Sequence, residues 1–324
     1  MRQAEIALFI AKRMLSALPL LLGVVVVNFL LIQLAPGDPI TVLVGDNPVS
    51  EEYLNQIRAE FGLDKPVWEQ LWIYVVQILH GNLGTSYSRH QPVTELLLDR
   101  AGNTLKLTLT AILLATVVGG LLGVLAARFR GRPIDAGTQT VTLLGFSVPE
   151  FWLGQILILL FAVNLQWLPS GGAYSIRTGD AGFFATLNYL ILPAVALSFR
   201  YVALISRMTR ASLLEVSNAD FVTAARARGL SDGGILRRHT LKNAAPPVIT
   251  VIGYNFGFIL GGSVMIETVF SWPGIGRLLY ESIGSRDYPV LIGILLVISV
   301  TVVIANLITD IVHMLIDPRV GQKA

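Results

Sequence analysis

Long, almost uncharged apolar blocks constrain this chain more than any single motif. They fall at about 14–34, 104–127, 138–163, 189–205, 247–270 and 289–316. A helix rises 1.5 Å per residue, so about 20 apolar residues cross a bilayer core of about 30 Å. Each block is therefore read as a membrane-spanning helix, the fourth reaching far enough only with Leu187 or Ser206. Composition excludes the soluble alternative: 53% of the residues are hydrophobic and 14% charged, against roughly 25% charged in a soluble domain. A water-soluble fold of 324 residues would need a charged shell that this chain cannot supply. The expected class is an all-α integral membrane protein with six spans.

Basic residues orient the spans. One set of connections carries Arg2, Lys12 and Arg13, then Arg128, Arg130 and Arg132, then Arg207, Arg210, Arg226, Arg228, Arg237, Arg238 and Lys242, and finally Arg319 and Lys323. The other set carries Arg58, Lys65, Arg89, Arg100, Arg177, Arg277 and Arg286 over more residues. Excess Lys and Arg stay on the cytoplasmic side, which places both termini in the cytoplasm. Lys12 and Arg13 before an apolar run have the charge order of a secretory signal. The run of about 21 residues exceeds the 7–15 of a signal core, so it is read as an uncleaved first span. The net charge of +3 is then a basic membrane face and does not point to nucleic acid.

Several chemistries drop out. The chain has no cysteine, which removes disulfides, thiolate metal sites and thiol nucleophiles. His80, His90, His239 and His313 are scattered without metal-like spacing, so no metal or other cofactor is expected. The lysines follow Ala11, Asp64, Leu105, Leu241 and Gln322. A phosphate-binding loop needs Gly-Lys-Ser/Thr, so a solute carrier of this sequence must borrow its energy.

These readings divide the chain into a terminal end with the first span (1–34), an external loop with short helices (35–103), a five-helix core (104–316) holding a cytoplasmic loop at 206–246, and a tail (317–324). In the external loop, Ser50 caps a helix with Glu51 and Glu52 in its first turn, Leu54, Ile57 and Phe61 on one face, and Gly62 as its stop. Pro66 opens a second helix through Leu79, ended by Gly81. It is too short to span, and Trp68, Trp72 and Tyr74 suit it to the interface.

Within the spans, Gly253, Gly257 and Gly261 form a stripe at four-residue spacing, and Gly119 with Gly123 a shorter one. Such stripes let backbones approach, inside one chain or against a second membrane subunit; a moving gate is the alternative. Pro149 should kink the third span. Glu150, Arg200, Glu267 and Asp310 lie within or near span ends. Ionisable groups there either line a solute pathway or pair between helices, and the sequence leaves both open.

The most informative segment is the loop 206–246. Asn218 or Asp220 can start a short helix containing Phe221, Val222, Ala224 and Ala225, and Gly229 supplies a left-handed stop. Ser231 or Asp232 starts a second helix, expected to end at Pro246 and Pro247. The result is a rigid two-helix projection, or else a basic loop lying on anionic membrane lipid.

Asp220-Phe221-Val222-Thr223-Ala224-Ala225-Arg226-Ala227-Arg228-Gly229-Leu230, continued by His239 to Pro247, is similar to the "EAA" loop of binding-protein-dependent ABC importer permeases. More narrowly, the chain resembles the dipeptide/oligopeptide/nickel permease family, first-subunit type. Further matches run along the chain: Pro36-Gly37-Asp38-Pro39, Gly62-Leu63-Asp64-Lys65-Pro66, Gly81-Asn82-Leu83-Gly84, Ser147 to Trp152, Arg207-Met208-Thr209-Arg210, Glu267 to Gly274, Arg286-Asp287-Tyr288-Pro289 and Asp317-Pro318-Arg319. Thr223 stands where the general motif has Glu, and His239 and Leu241-Lys242 replace an Ile and a Leu-Pro pair, variants of the peptide/nickel branch.

The resemblance implies a type I importer permease of the inner membrane with a cytoplasmic coupling helix. It implies a second homologous permease subunit, cytoplasmic ABC ATPase subunits, an external solute-binding protein, and a short peptide or related solute. It carries over Ala224, Ala225, Gly229 and Leu230 as docking residues, with Arg226 and Arg228 as their polar rim. An ion-gradient-driven secondary transporter using Glu150, Arg200 or Asp310 is the competing class.

Overall fold

A computed structural model describes residues 2–34, 65–174 and 183–316, apart from some side chains within the helices. The described residues are helical, with one isolated β-bridge between Thr85 and Pro92. In chain order the helices are α1 (Arg2–Leu34), α2 (Val67–Leu79), α3 (Val93–Arg128), α4 (Pro133–Ser147) and α5 (Glu150–Leu157), which widens into a π-helix over Ile158–Asn164. There follow α6 (Phe183–Ser217), α7 (Asp220–Ala227) and α8 (Asp232–Ile235), which continues through a π-helical turn (Leu236–Thr240) into α9 (Leu241–Val269). The last two are α10 (Ile275–Gly284) and α11 (Tyr288–Ile316).

Four of these contain segments long and apolar enough to cross a membrane: Ile10–Leu31, Val93–Arg128, Thr186–Ser217 and Tyr288–Val312. A fifth arises if the bent pair Pro133–Ser147 and Glu150–Asn164 counts as one. The chain is thus a multi-pass, all-α membrane protein. In the most apolar 18 residues of Thr186–Ser217, 67% are buried inside the protein, against 17–33% in the other three, so α6 is the central post. Its neighbours turn apolar faces outward: on α3, Leu105, Leu109, Leu113, Val117, Leu121 and Leu125 are all exposed. In water that row would be a liability; in a bilayer it is the solvent-facing side.

Small residues set how closely the post is approached. A Cβ added at Gly119 would lie 2.7 Å from the Val202 carbonyl oxygen, and one at Gly123 2.6 Å from that of Ser206. The backbones of α3 and α6 touch there, as a small-residue stripe allows. Gly145 of α4 lies against Ala203 in the same way. On α9, Gly253 faces Thr309 of α11 with no room for a methyl group, and Gly257 faces Val302. The surroundings of Gly261 lie outside the described residues. The central core gathers Leu107, Leu197, Ile205, Ile259, Phe270 and Trp272, and a second core joins Val93, Leu97, Leu278 and Ile294.

Three elements differ from the sequence reading. First, α3 starts at Val93 instead of Thr104, and α6 runs on to Ser217 instead of stopping near Ile205. Polar residues such as Arg207 and Arg210 end the apolar block, but nothing breaks the helix before Asn218. Second, Pro149 makes a break instead of a kink: α4 and α5 meet at 104°. Val148, preceding a proline, is extended at φ −89° and ψ 122°, and Pro149 becomes the N-cap of a new helix. Third, Pro246 and Pro247 end nothing; both lie inside α9. Val248 and Ile252 pack on the central core just beyond them, which holds the segment helical despite two lost backbone bonds. The expected helix from Ser50 lies outside the described residues. The helix expected after Pro66 is α2, with Pro66 at its N-cap and Gly81 at φ +75° past its end.

Candidate functional site

Residues 218–240 form an elbow at one end of the bundle. Ala219, extended at ψ 148°, starts α7 without a side-chain cap. Gly229 then turns the chain at φ +80°, and a Cβ there would meet no atom within 4 Å, so the glycine is required by conformation and not by crowding. Ser231 caps α8, its Oγ accepting the Gly234 N–H at 3.3 Å. The two arms are pinned by a core of only three side chains: Val222 (1% exposed), Ala225 (6%) and Ile235 (3%). An exposed ion pair, Arg226 Nε to Asp232 Oδ1 at 3.5 Å, spans the bend.

Of the six residues singled out from the sequence, Ala225 faces inward, whereas Ala224, Arg226, Arg228, Gly229 and Leu230 are exposed. Phe221 is exposed beside them at 44%. The elbow therefore presents a mixed apolar and basic surface on a thin internal support.

Just before the elbow, α6 is tied to α4 by a lock that the sequence reading missed. Asp135, at the start of α4, is buried and accepts Arg210 Nε at 2.7 Å and Nη2 at 2.8 Å. Its carboxylate also accepts the Gly131 N–H at 3.0 Å and Gln139 Nε2 at 3.0 Å. A bidentate guanidinium–carboxylate pair fixes orientation as well as distance. It ties the 129–132 turn and α4 to the part of α6 that leads into the elbow. Arg210 belongs to one of the matching tetrapeptides, but nothing in the local sequence marks Asp135 as its partner 75 residues away.

The four ionisable residues of the spans do not converge. Glu150 lies within electrostatic reach of Arg200. Asp310 of α11 pairs with Arg13 of α1 at 3.1 Å. Glu267 stands apart at the opposite end of the bundle from the elbow, fully buried. Its Oε1 accepts Thr104 Oγ1–H at 2.9 Å and Ser263 Oγ–H at 3.1 Å, and its Oε2 accepts the Arg277 N–H at 2.9 Å. Thr104 Oγ1 in turn accepts the Ile275 N–H at 2.8 Å. Gly274 and Gly276 leave no space for a side chain beside this carboxylate. Trp272 Nε1–H donates to the Asn103 carbonyl, and Asn103 Nδ2–H to that of Pro273, both at 3.0 Å.

A second knot lies beside it. Ser86 Oγ–H and Ser88 Oγ–H donate to Asp287 Oδ2 at 2.5 and 2.7 Å, and the Tyr87 N–H donates to Oδ1 at 3.1 Å. Burial works to raise the Asp287 carboxyl, but these donors outweigh it and hold the group below the usual carboxylate range. The neighbouring Tyr87 phenol is pushed up, by burial first and by the Asp287 charge second. Glu281 accepts Arg89 and Arg277 at 2.5 and 2.9 Å. Among the described residues no group of His, Cys, Asp and Glu side chains could hold a metal ion.

Comparison with known proteins places this arrangement. Residues 119–322 match the family described as binding-protein-dependent transport system inner membrane component, and residues 6–108 match its N-terminal companion. The chain is 40% identical to the di/tripeptide transport system permease protein DppB of Pseudomonas aeruginosa (strain UCBPP-PA14), over 97% of this chain and 99% of that one. It is 38% identical, with the same coverage, to the oligopeptide transport system permease protein AppB of Bacillus subtilis (strain 168). The fold is also similar to a chain of the inward-facing MetNI methionine ABC transporter, at a TM-score of 0.55 and 22% identity, covering 68% of this chain and 96% of that one.

Proposed function

Because the chain belongs to the family of binding-protein-dependent transport system inner membrane components, we propose that it forms the translocation path of a peptide importer and is driven through its elbow by separate ATPase subunits. The observation that carries this reading is the elbow: an exposed two-helix projection, hinged at Gly229, that continues the central post just beyond the point where Arg210 clamps the post to α4 through Asp135. Ala225 supports it from inside, and Phe221, Ala224, Arg228 and Leu230 with Arg226 offer the docking face. Small residues let a partner groove come close, and the arginines border it. Force applied there reaches α6, and through the Gly119 and Gly123 contacts, α3.

The membrane arrangement follows from the same reading. The four apolar helices, the bent pair as one broken span, and the 29 residues of α9 together supply six crossings, about 43 Å being available in α9 at 1.5 Å per residue. The Lys and Arg bias puts the elbow and both termini on the cytoplasmic side of the inner membrane. Glu150 and Arg200 are the pair on which a polar pathway would rest. Asp310 is engaged by Arg13, and Glu267 is held by three donors. Membership of the family implies a second, homologous permease subunit to complete the path. Peptide is the solute class because di/tripeptide and oligopeptide permeases match the chain over nearly its whole length, and an external binding protein would deliver it.

Reconstitution tests the proposal. Peptide uptake into proteoliposomes should require ATP and the partner ATPase subunits, and should persist when proton and sodium gradients are collapsed. Uptake that stops on collapse with ATP present identifies an ion-coupled carrier instead. The purified chain alone should neither bind nor hydrolyse ATP.

A further inference from the structure

Between the 128–132 turn, the last turns of α6 and the elbow lies a groove of about 470 Å³. Arg128, Arg130, Arg132 and Arg226 line it, and the only carboxylate on its walls is Asp232, which is paired with Arg226. Among the described residues, Arg128, Arg130 and Arg132 make no ion pair. Arg128 and Arg132 both stand over the Phe129 ring, each guanidinium carbon 5.8 Å from its centroid. The turn that carries these cations is held in place. Gly131 bends the turn at φ +76°, the Gly131 N–H donates to buried Asp135, and Arg210 clamps Asp135 to α6.

The opposite wall is mixed, with Leu214 and Leu236 beside Ser217, Asn218 and Thr240, and with Leu213, Val222 and Ile235 almost fully buried behind them. The groove lies where the span Val93–Arg128 ends. One turn before Phe129, exposed Leu125 continues the outward row Leu113, Val117 and Leu121. A cationic floor at the end of a lipid-facing apolar row matches a molecule with a phosphate at one end and acyl chains at the other.

We propose that this groove binds the phosphodiester headgroup of an anionic phospholipid, Arg130 and Arg132 taking the phosphate and the Leu125 row the first methylenes of a chain. Binding there would place a lipid between the arginine turn and the elbow, beside the mechanical linkage. The claim concerns lipid and not the ATPase, and its readout requires no transport.

The test is native mass spectrometry of the complete importer, exchanged into equal amounts of phosphatidylglycerol and phosphatidylcholine. The wild type should retain phosphatidylglycerol preferentially. Arg130→Gln with Arg132→Gln should reduce that retention about twenty-five-fold, at about fivefold for each of the two cations near the surface. Arg130→Lys with Arg132→Lys should restore most of it. Equal retention of the two lipids by the wild type, which needs no variant to read, overturns the proposal. So does unaltered phosphatidylglycerol retention by the glutamine pair. Displacement of the lipid by millimolar inorganic phosphate would make this a soluble-phosphate site, and that result also contradicts it.

Discussion

The two ends of this bundle are built on opposite plans. At the end holding Glu267, a fully buried carboxylate is surrounded by three donors, and neighbouring Asp287 by donors from the 86–88 segment. At the elbow end, three small or medium apolar side chains and one solvent-exposed ion pair hold two short helices together. Stability within a protein is uneven, and segments that move come from its weakly cored parts. The first end has the construction of a fixed anchor; the second has that of the lever proposed above, carried on a post that Arg210 clamps to α4 through Asp135.

The contrast can be broken at several points. Glu267→Ala should have the largest effect. It strands the donors of Thr104, Ser263 and Arg277, and each buried unsatisfied group costs about 1–3 kcal/mol, so a loss of about 3 kcal/mol or more is expected. A large drop in the thermal unfolding midpoint in detergent checks it; an unchanged midpoint would mean the anchor is not one.

Ile235→Ala should cost about 2 kcal/mol or more, but locally. Hydrogen exchange should rise over 220–240 while the global midpoint stays near that of the wild type. A global loss matching Glu267→Ala would erase the distinction between the ends. At the hinge, Gly229→Val forces a β-branched residue to positive φ, at about 1–2 kcal/mol or more, whereas Asn tolerates that region. Uptake and ATPase stimulation should be lost in Gly229→Val and largely kept in Gly229→Asn, with both proteins present in the membrane.

The pH response should appear at the anchor end. The folded-state pKa of Asp287 is depressed, so its contribution is complete above the unfolded value of about 3.9 and is lost as pH falls through the folded value. The unfolding midpoint should therefore not change on account of Asp287 between neutrality and about pH 4. Below that, the wild type should lose a step of stability that Asp287→Asn lacks. The smallest effect belongs to Asp232→Asn: its partner Arg226 is 57% exposed and Asp232 89%, and pairs this open contribute little. Melting and uptake should match the wild type.

The sequence made the lever more legible than the anchor. Gly229, Ser231 and the short helix from Asp220 are local signals, since a left-handed turn and a cap are written in neighbouring residues. The glycine stripe at 119 and 123 was legible for the same reason. The anchor depends on pairs such as Thr104 with Glu267 and Ser86 with Asp287, 163 and 201 residues apart, which no spacing rule connects. Glu267 in particular read as a residue near a span end, where water would weaken its burial; the return of 272–276 over it supplies the cover. The break at Pro149 was underestimated because proline marks a lost bond but not the angle at which the next helix leaves. The run through Pro246 and Pro247 went unread because packing on the core outweighs the local penalty.

The lever itself is tested most directly by contact. The chain contains no cysteine, so Ala224→Cys introduces a single thiol on the exposed face of α7. In the assembled importer, a short bifunctional reagent at this thiol should cross-link the chain to an ATPase subunit, and assembly should protect the thiol from bulk maleimide. A thiol that reacts equally fast with and without the ATPase subunits, and forms no cross-link to them, would contradict the account.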